Sequence, residues 1–308
     1  QDQIESSLRR AIQIHLTMGK VLSSSLEKYF ENKSDYKELL SLWALQFQEG
    51  FRVTDDYEEP FRVLVDRNPN NSMAWYYYAD SLFLKFLSNK LAFKDYQTVY
   101  DAILKAKELD PNNSIVYPLL ASVETYVMGI NQMAFEQTLL TGLKKGSENY
   151  RTLMLIGANF YSISNFSEAI RYLKKAVNLA PFGPISTEIF LMKSYIETER
   201  FDEAKALCLS MIAGGGRTGA LWGTTFLTFA EFVAGDKERA KVMLENFIDD
   251  NNYTIDELIE DLRNSPFSGG DLDQNTEDMI YILLYIIDPQ KITPYQKALF
   301  RKDRYSFE

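Results

Sequence analysis

The chain has 308 residues, 46% of them hydrophobic, and a mean hydropathy of -0.24, which places it among proteins with a large buried core. Its 43 acidic residues against 33 basic ones give a net charge of -10 and a pI near 4.9, which argues against direct contact with a phosphate backbone. One cysteine, Cys208, and one histidine, His15, allow neither an internal disulfide nor a Cys/His metal cluster, so no metal and no cofactor is expected.

The chain opens on Gln1 rather than Met, as a processed mature form or a piece of a longer protein would. Residues 1–34 predict one amphipathic helix: Ile4, Leu8, Ala11, His15, Met18, Leu22 and Tyr29 fall at alternating four- and three-residue steps. That spacing fits a long helix packed on the first repeat of the chain, or a coiled-coil seam through which two chains dimerise. Residues 35–71 predict a divergent helix pair, Asp35 to Gly50 and Asp55 to Arg67.

Asn68-Pro-Asn-Asn-Ser72 then recurs as Asp110-Pro-Asn-Asn-Ser114. Proline ends the preceding helix, and the Asn-Asn-Ser oxygens are placed to cap the next. A third stretch, Tyr150 to Pro181, carries Leu153, Ile156, Gly157 and Phe160 in its first helix, Phe166 at the turn, and Ala169, Leu173 and Ala176 in its second. The pattern of bulky residue, large-small pair, aromatic, small crossing residues and terminal proline resembles a tetratricopeptide repeat. Gly157 and Ala169 are expected to let the two helices approach, with Leu173 and Phe160 filling the groove between them.

In the same frame Trp75, Tyr78, Ala79 and Leu82 open a repeat whose second helix holds Val99, Ile103 and Ala106. The two pentapeptides begin 42 residues apart, so about eight residues are inserted around Leu84 to Phe93 relative to the roughly 34 of a standard unit. Tyr117, Leu120, Ala121 and Ala134 mark the next repeat. Leu191, Met192, Tyr195, Phe201, Ala204, Cys208 and Met211 mark a looser one, and Leu221 to Asp250, turning at Gly235-Asp236, a last. The expectation is an all-α superhelical solenoid of antiparallel helix pairs, with five tetratricopeptide-like repeats over 72–250. Capping helices are expected over 251–308, at Thr254 to Arg263, Thr276 to Ile287 and Thr293 to Phe300.

Several segments invite sharper readings. Gly214-Gly-Gly-Arg-Thr-Gly219 lacks the Lys-Ser/Thr of a phosphate loop and follows no strand, so a flexible inter-repeat turn is expected. Asp271-Leu-Asp273-Gln-Asn275 starts like a calcium loop, but Thr276 and Ile282 occupy the glycine and glutamate positions; an N-cap at Asn275 or Thr276 is expected instead. Of Tyr76-Tyr77-Tyr78, Tyr78 is expected to face the core. Cys208 should be a buried small hydrophobe, and no nucleophile–base pair is evident, so no catalytic residue is assigned. The longest apolar run, Met279 to Ile287, is too short to span a bilayer.

The resemblance implies that first helices line a concave face presenting Tyr76, Asp80, Phe83, Ser122, Tyr126, Met154, Ala158, Tyr161, Ile189 and Lys193. The Lys and Asn residues that clamp a C-terminal carboxylate in chaperone-binding members are replaced by Tyr76, Asp80 and Ala158, so an extended or apolar peptide suits this face better. The Pro-Asn-Asn breaks, the inserted second repeat and the Leu-Ala-Pro ending are also similar to the C-terminal repeat regions of bacterial transcriptional regulators and adenylate cyclases. These resemblances imply a non-enzymatic cytoplasmic scaffold or sensor for a protein or peptide. The alternative is a periplasmic or envelope-associated protein binding a small molecule or glycan.

Overall fold

The computed structural model describes residues 33–45, 58–87, 92–129, 132–145, 150–179, 185–214, 216–263 and 274–294. The N-terminal seam, and the helix expected from Thr293 to Phe300 beyond residue 294, lie outside them. Among the described residues every regular element is helical. No helix there is long and apolar enough to cross a membrane.

The chain divides into two compact units, one ending at Phe190 and the other beginning at Leu191. In the first, α1 (Lys33–Leu45) packs on α2 (Glu58–Arg67), α3 (Ser72–Leu87) on α4 (Tyr96–Leu109), α5 (Val116–Ser122) on α6 (Gln132–Lys145), and α7 (Tyr150–Ser162) on α8 (Phe166–Leu179). A 3-10 turn at Phe93–Asp95 precedes α4, and a π-helical turn, Val123–Val127, continues α5. α9 (Ile185–Glu197) contains the division. In the second unit α10 (Phe201–Gly214), α11 (Gly216–Val233) and α12 (Lys237–Asp250) pack in succession. They are followed by α13 (Ile255–Arg263) and α14 (Gln274–Ile287), which packs on α11, α12 and α13.

The recurring pentapeptides do the same mechanical work in different ways. In the first, Asn71 Oδ1 accepts from Met73 N at 2.9 Å and Ala74 N at 3.2 Å, the expected N-cap. In the second, Asp110 Oδ1 accepts from Asn112 N at 3.0 Å, and the helix begins only at Val116. Both loops are held by an aromatic residue six positions after the proline. Trp75 Nε1 donates to the Pro69 carbonyl at 2.8 Å, and Tyr117 Oη to the Pro111 carbonyl at 2.7 Å. Ser72 Oγ closes the α3–α4 pair by donating to the Ala106 carbonyl at 2.8 Å.

A second periodicity lies in the backbone. Gly129, Ser164, Glu199 and Gly235 all adopt positive φ (62°, 60°, 57° and 96°), at intervals of 35, 35 and 36 residues. At the last three, the next amide donates back across the turn: Asn165 N to Phe160 O, Arg200 N to Tyr195 O and Asp236 N to Glu231 O, at 2.9, 2.8 and 3.0 Å. This left-handed residue between the two helices of a repeat sets their antiparallel return. Ser164 and Glu199 escape a glycine search because they reach the same backbone state with a side chain.

Close approach within pairs follows the small residues. A Cβ on Gly157 would lie 2.5 Å from Leu173 Cγ, so α7 and α8 touch where expected. A Cβ on Gly223 would lie 2.9 Å from the Cys208 carbonyl, bringing α11 onto α10. The glycine-rich segment differs from the expected flexible turn: α10 runs to Gly214, and α11 starts at Gly216, whose φ of 59° reverses the chain. Arg217, Thr218 and Gly219 are helical, because α11 has a whole apolar circumference to bury. The expected helix from Thr254 starts at Ile255, with Thr254 and Glu257 forming a reciprocal cap at 2.7–3.2 Å.

Gly157→Ala should destabilise the protein by about 1–3 kcal/mol in urea titration, because the added methyl has Leu173 in its place. Ser164→Gly, at a turn that favours glycine, should be neutral or stabilising by up to about 1 kcal/mol in the same assay.

Candidate binding face on the first helices

From α3 onward the first helices are buried around most of their circumference, while the second helices keep an exposed outer side. In α3 residues 76 to 83 are all buried. Tyr78 is inside as expected, and Tyr76 and Tyr77 are buried with it. Phe61 stacks on Tyr77 at 6.1 Å, Tyr76 meets Tyr77 edge-on at 5.1 Å, and Trp75 meets Tyr78 at 6.4 Å. Burial, reinforced by the charge of Glu58, pushes the Tyr78 phenol up to about 12. Three consecutive aromatics fit only because α2 and α4 supply apolar surface on different sides of α3.

Of the residues expected on the binding face, Tyr76, Asp80, Phe83, Ser122 and Met154 are buried, as is Ile189. Tyr126 and Tyr161 are half-buried, as is Ala158. Tyr126 meets Phe83 at 6.3 Å across neighbouring first helices, and Phe83 in turn stacks on Phe86 at 6.1 Å. Tyr161 packs against Phe166 and Phe190, each at 5.7 Å. Phe83 and Tyr161 each stand four residues after a small residue, Ala79 and Gly157, whereas Tyr126 stands five after Ala121. The π turn absorbs that extra residue and brings Tyr126 to Phe83.

Beneath the aromatic rings lies a buried polar junction. Ser122 Oγ donates to Asn159 Oδ1 at 2.7 Å, and Asn159 Nδ2 donates to the Pro118 carbonyl at 2.9 Å, tying α5 to α7. Pro118 lies in the first turn of α5, where its missing N–H costs no helical hydrogen bond. Tyr150 and Thr187 hydrogen-bond at the next level, α7 to α9. Ser122, expected as a ligand contact, is placed by the structure in this junction. Asn159 escapes a reading of the sequence; its only signal there is a lone amide in an otherwise apolar stretch.

Lys193 lies in the second unit. Its side chain is buried, with the ammonium 5.1 Å from the Trp222 ring centre and 6.0 Å from that of Phe226. Its Nζ donates to Thr276 Oγ1 at 3.2 Å, two residues before the fully buried Asp278. Thr276 thus lies inside α14 and is no N-cap, correcting that expectation. Cys208 is fully buried as expected, its thiol donating to Met192 Sδ at 3.2 Å; burial pushes its pKa far up, removing it as a nucleophile.

No family model matches the sequence, and no curated protein does. Among solved structures the chain is similar to human IFIT1, seen as a dimer with PPP-AAAA, at 15% identity over 85% of this chain and 61% of that one, with a TM-score of 0.56. It thus spans about three fifths of IFIT1. Two looser likenesses are yeast Tom70 (17% identity, 82% and 49% covered, TM-score 0.47) and YrrB, a TPR protein with an unusual peptide-binding site (18%, 62% and 92%, TM-score 0.43). Together with the 35-residue turn period and the Gly157–Leu173 crossing, the likeness to IFIT1 establishes the fold class: an all-α helical repeat of the tetratricopeptide type.

Asn159→Ala should cost about 1–2 kcal/mol in chemical denaturation, since it removes two buried hydrogen bonds and leaves the Ser122 hydroxyl and the Pro118 carbonyl only their mutual bond at 3.1 Å.

Proposed function

We propose that the chain is a non-enzymatic scaffold that takes a peptide or protein segment on the first-helix face of the repeats ending at Phe190. The observation that carries this reading is the pair of half-buried rings, Tyr126 and Tyr161, each seated on a second aromatic from a neighbouring element. Aromatic side chains held in this way offer large, rigid contact area with little conformational entropy left to lose, and their phenols add hydrogen-bonding capacity. The buried Ser122–Asn159 junction and Phe83 support them from below. A net charge of -10 favours a partner segment with basic or neutral side chains over an acidic one.

Binding without catalysis is supported by the chemistry of the buried groups. The Cys208 thiol is held protonated by burial, which removes the chain's one cysteine as a nucleophile. Within this reading, the resemblance to repeat regions of bacterial transcriptional regulators and adenylate cyclases suggests a sensor or effector role in signalling.

A pull-down from lysate with the parent chain should retain a protein that is lost when Tyr126→Ala and Tyr161→Ala are combined in a variant still helical by circular dichroism. Equal retention by both forms places the binding surface elsewhere and overturns the assignment.

A further inference from the structure

The π-helical turn at Val123–Val127 contains a carboxyl group that nothing in the binding reading uses. Glu124 is 9% exposed, and its Oε2 is buried with no hydrogen-bond partner among the described residues. The hydroxyl of the adjacent Thr125 is likewise buried and has no partner among the described residues. An orphaned carboxylate oxygen inside a protein is costly when charged, and far less so when neutral. A π turn is also a weak point in a helix: here its closure includes one wide bond, Met128 N to Val123 O at 3.0 Å.

The groups facing Glu124 come from two neighbouring helices. From α4, Lys107 offers a positive charge, and Tyr100 lies close enough that the carboxylate raises its phenol pKa, after burial, with Asp101 adding to the effect. From α6, Thr138 lies close enough for its hydroxyl to favour the charged carboxylate. The Lys107 ammonium is also held over the Tyr117 ring at 5.8 Å, which keeps it from committing wholly to the carboxylate. The half-buried Lys107 and Thr138 favour the charged form, but burial opposes them and is the larger effect, so the Glu124 carboxyl titrates above its ordinary value.

We propose that Glu124 is a proton-operated lock on the π turn: the neutral carboxyl keeps the turn closed, with Tyr126 against Phe83, and the ionised carboxylate loosens the turn toward water. Loosening would release the extra residue that the turn absorbs, and with it the position of Tyr126. The lock is a property of the free chain and holds whether or not Tyr126 contacts a partner. Its sign follows from linkage. A carboxyl whose folded pKa is raised contributes most stability below its unfolded value of 4.5, and loses that contribution as pH rises through 4.5 to the raised folded value.

The test compares the full chain with Glu124→Gln, which keeps the shape and cannot ionise. Between about pH 4 and about pH 8, the parent's melting temperature should fall progressively relative to the variant, the two meeting at the acid end. Lys107→Met, which removes the compensating cation, should enlarge that fall. Hydrogen exchange locates the effect: at the alkaline end the Met128 amide should exchange faster in the parent than in Glu124→Gln at the same pH, and equally at the acid end. A melting-temperature gap that is constant with pH overturns the proposal, as does a pH-dependent gap without altered exchange at Met128, which would show that Glu124 titrates without moving the turn.

Discussion

From α3 onward the first helices are enclosed by neighbours on most sides, and much of the structure depends on that constraint. α3 is apolar and aromatic around its whole circumference, and α11 is buried almost from end to end. A helix of this kind is stable only when enclosed by neighbours. The second helices supply one wall and are correspondingly two-faced: α8 buries Ala169, Ile170, Tyr172, Leu173 and Ala176 and exposes Ser167, Arg171, Lys174, Asn178 and Leu179. Each repeat is therefore incomplete alone, and adjoining first helices must meet each other.

That meeting explains the polar chemistry inside. Where α5 and α7 touch, Ser122, Asn159 and the Pro118 carbonyl satisfy one another, and Tyr150 and Thr187 do so between α7 and α9. Such bonds add directionality that apolar packing lacks, fixing the rotation of one first helix against the next. In the second unit the enclosed cation of Lys193 takes that part, held between the rings of α11 and the hydroxyl of Thr276 on α14. Glu231 is similar: buried on α11, it is paired with Lys205 at 2.7 Å and Arg239 at 3.4 Å from the helices on either side.

The π turn is where two requirements compete. Five residues separate Ala121 from Tyr126, one more than separates Ala79 from Phe83 or Gly157 from Tyr161, yet neighbouring first helices must keep their side chains in step. A single wide turn accommodates the surplus and leaves Glu124 Oε2 and Thr125 Oγ1 buried without a hydrogen-bond partner among the described residues. Local strain of this type persists only where surrounding packing imposes it.

What the sequence by itself determined is the pairing of helices: the repeated Pro-Asn-Asn-Ser break, the Leu-Ile-Gly-Phe stripe of α7 and the Ala-Leu-Ala stripe of α8 name both partners and the place they cross, because steric close approach depends on side-chain size alone. The same holds for Cys208, whose apolar setting is written in its neighbours. The tertiary structure alone decided which faces of the first helices are covered. Periodicity marks a helix's buried side only when another side is polar; α3 has no such contrast, so Tyr76, Asp80 and Phe83 read as exposed in the repeat frame while neighbours distant in sequence enclose them. The positive-φ turns at Ser164 and Glu199, the π turn before Tyr126 and the aromatic setting of Lys193 were hidden for the same reason: each is imposed by packing between segments 25 or more residues apart or by the geometry of a turn, and none by the residue that bears it.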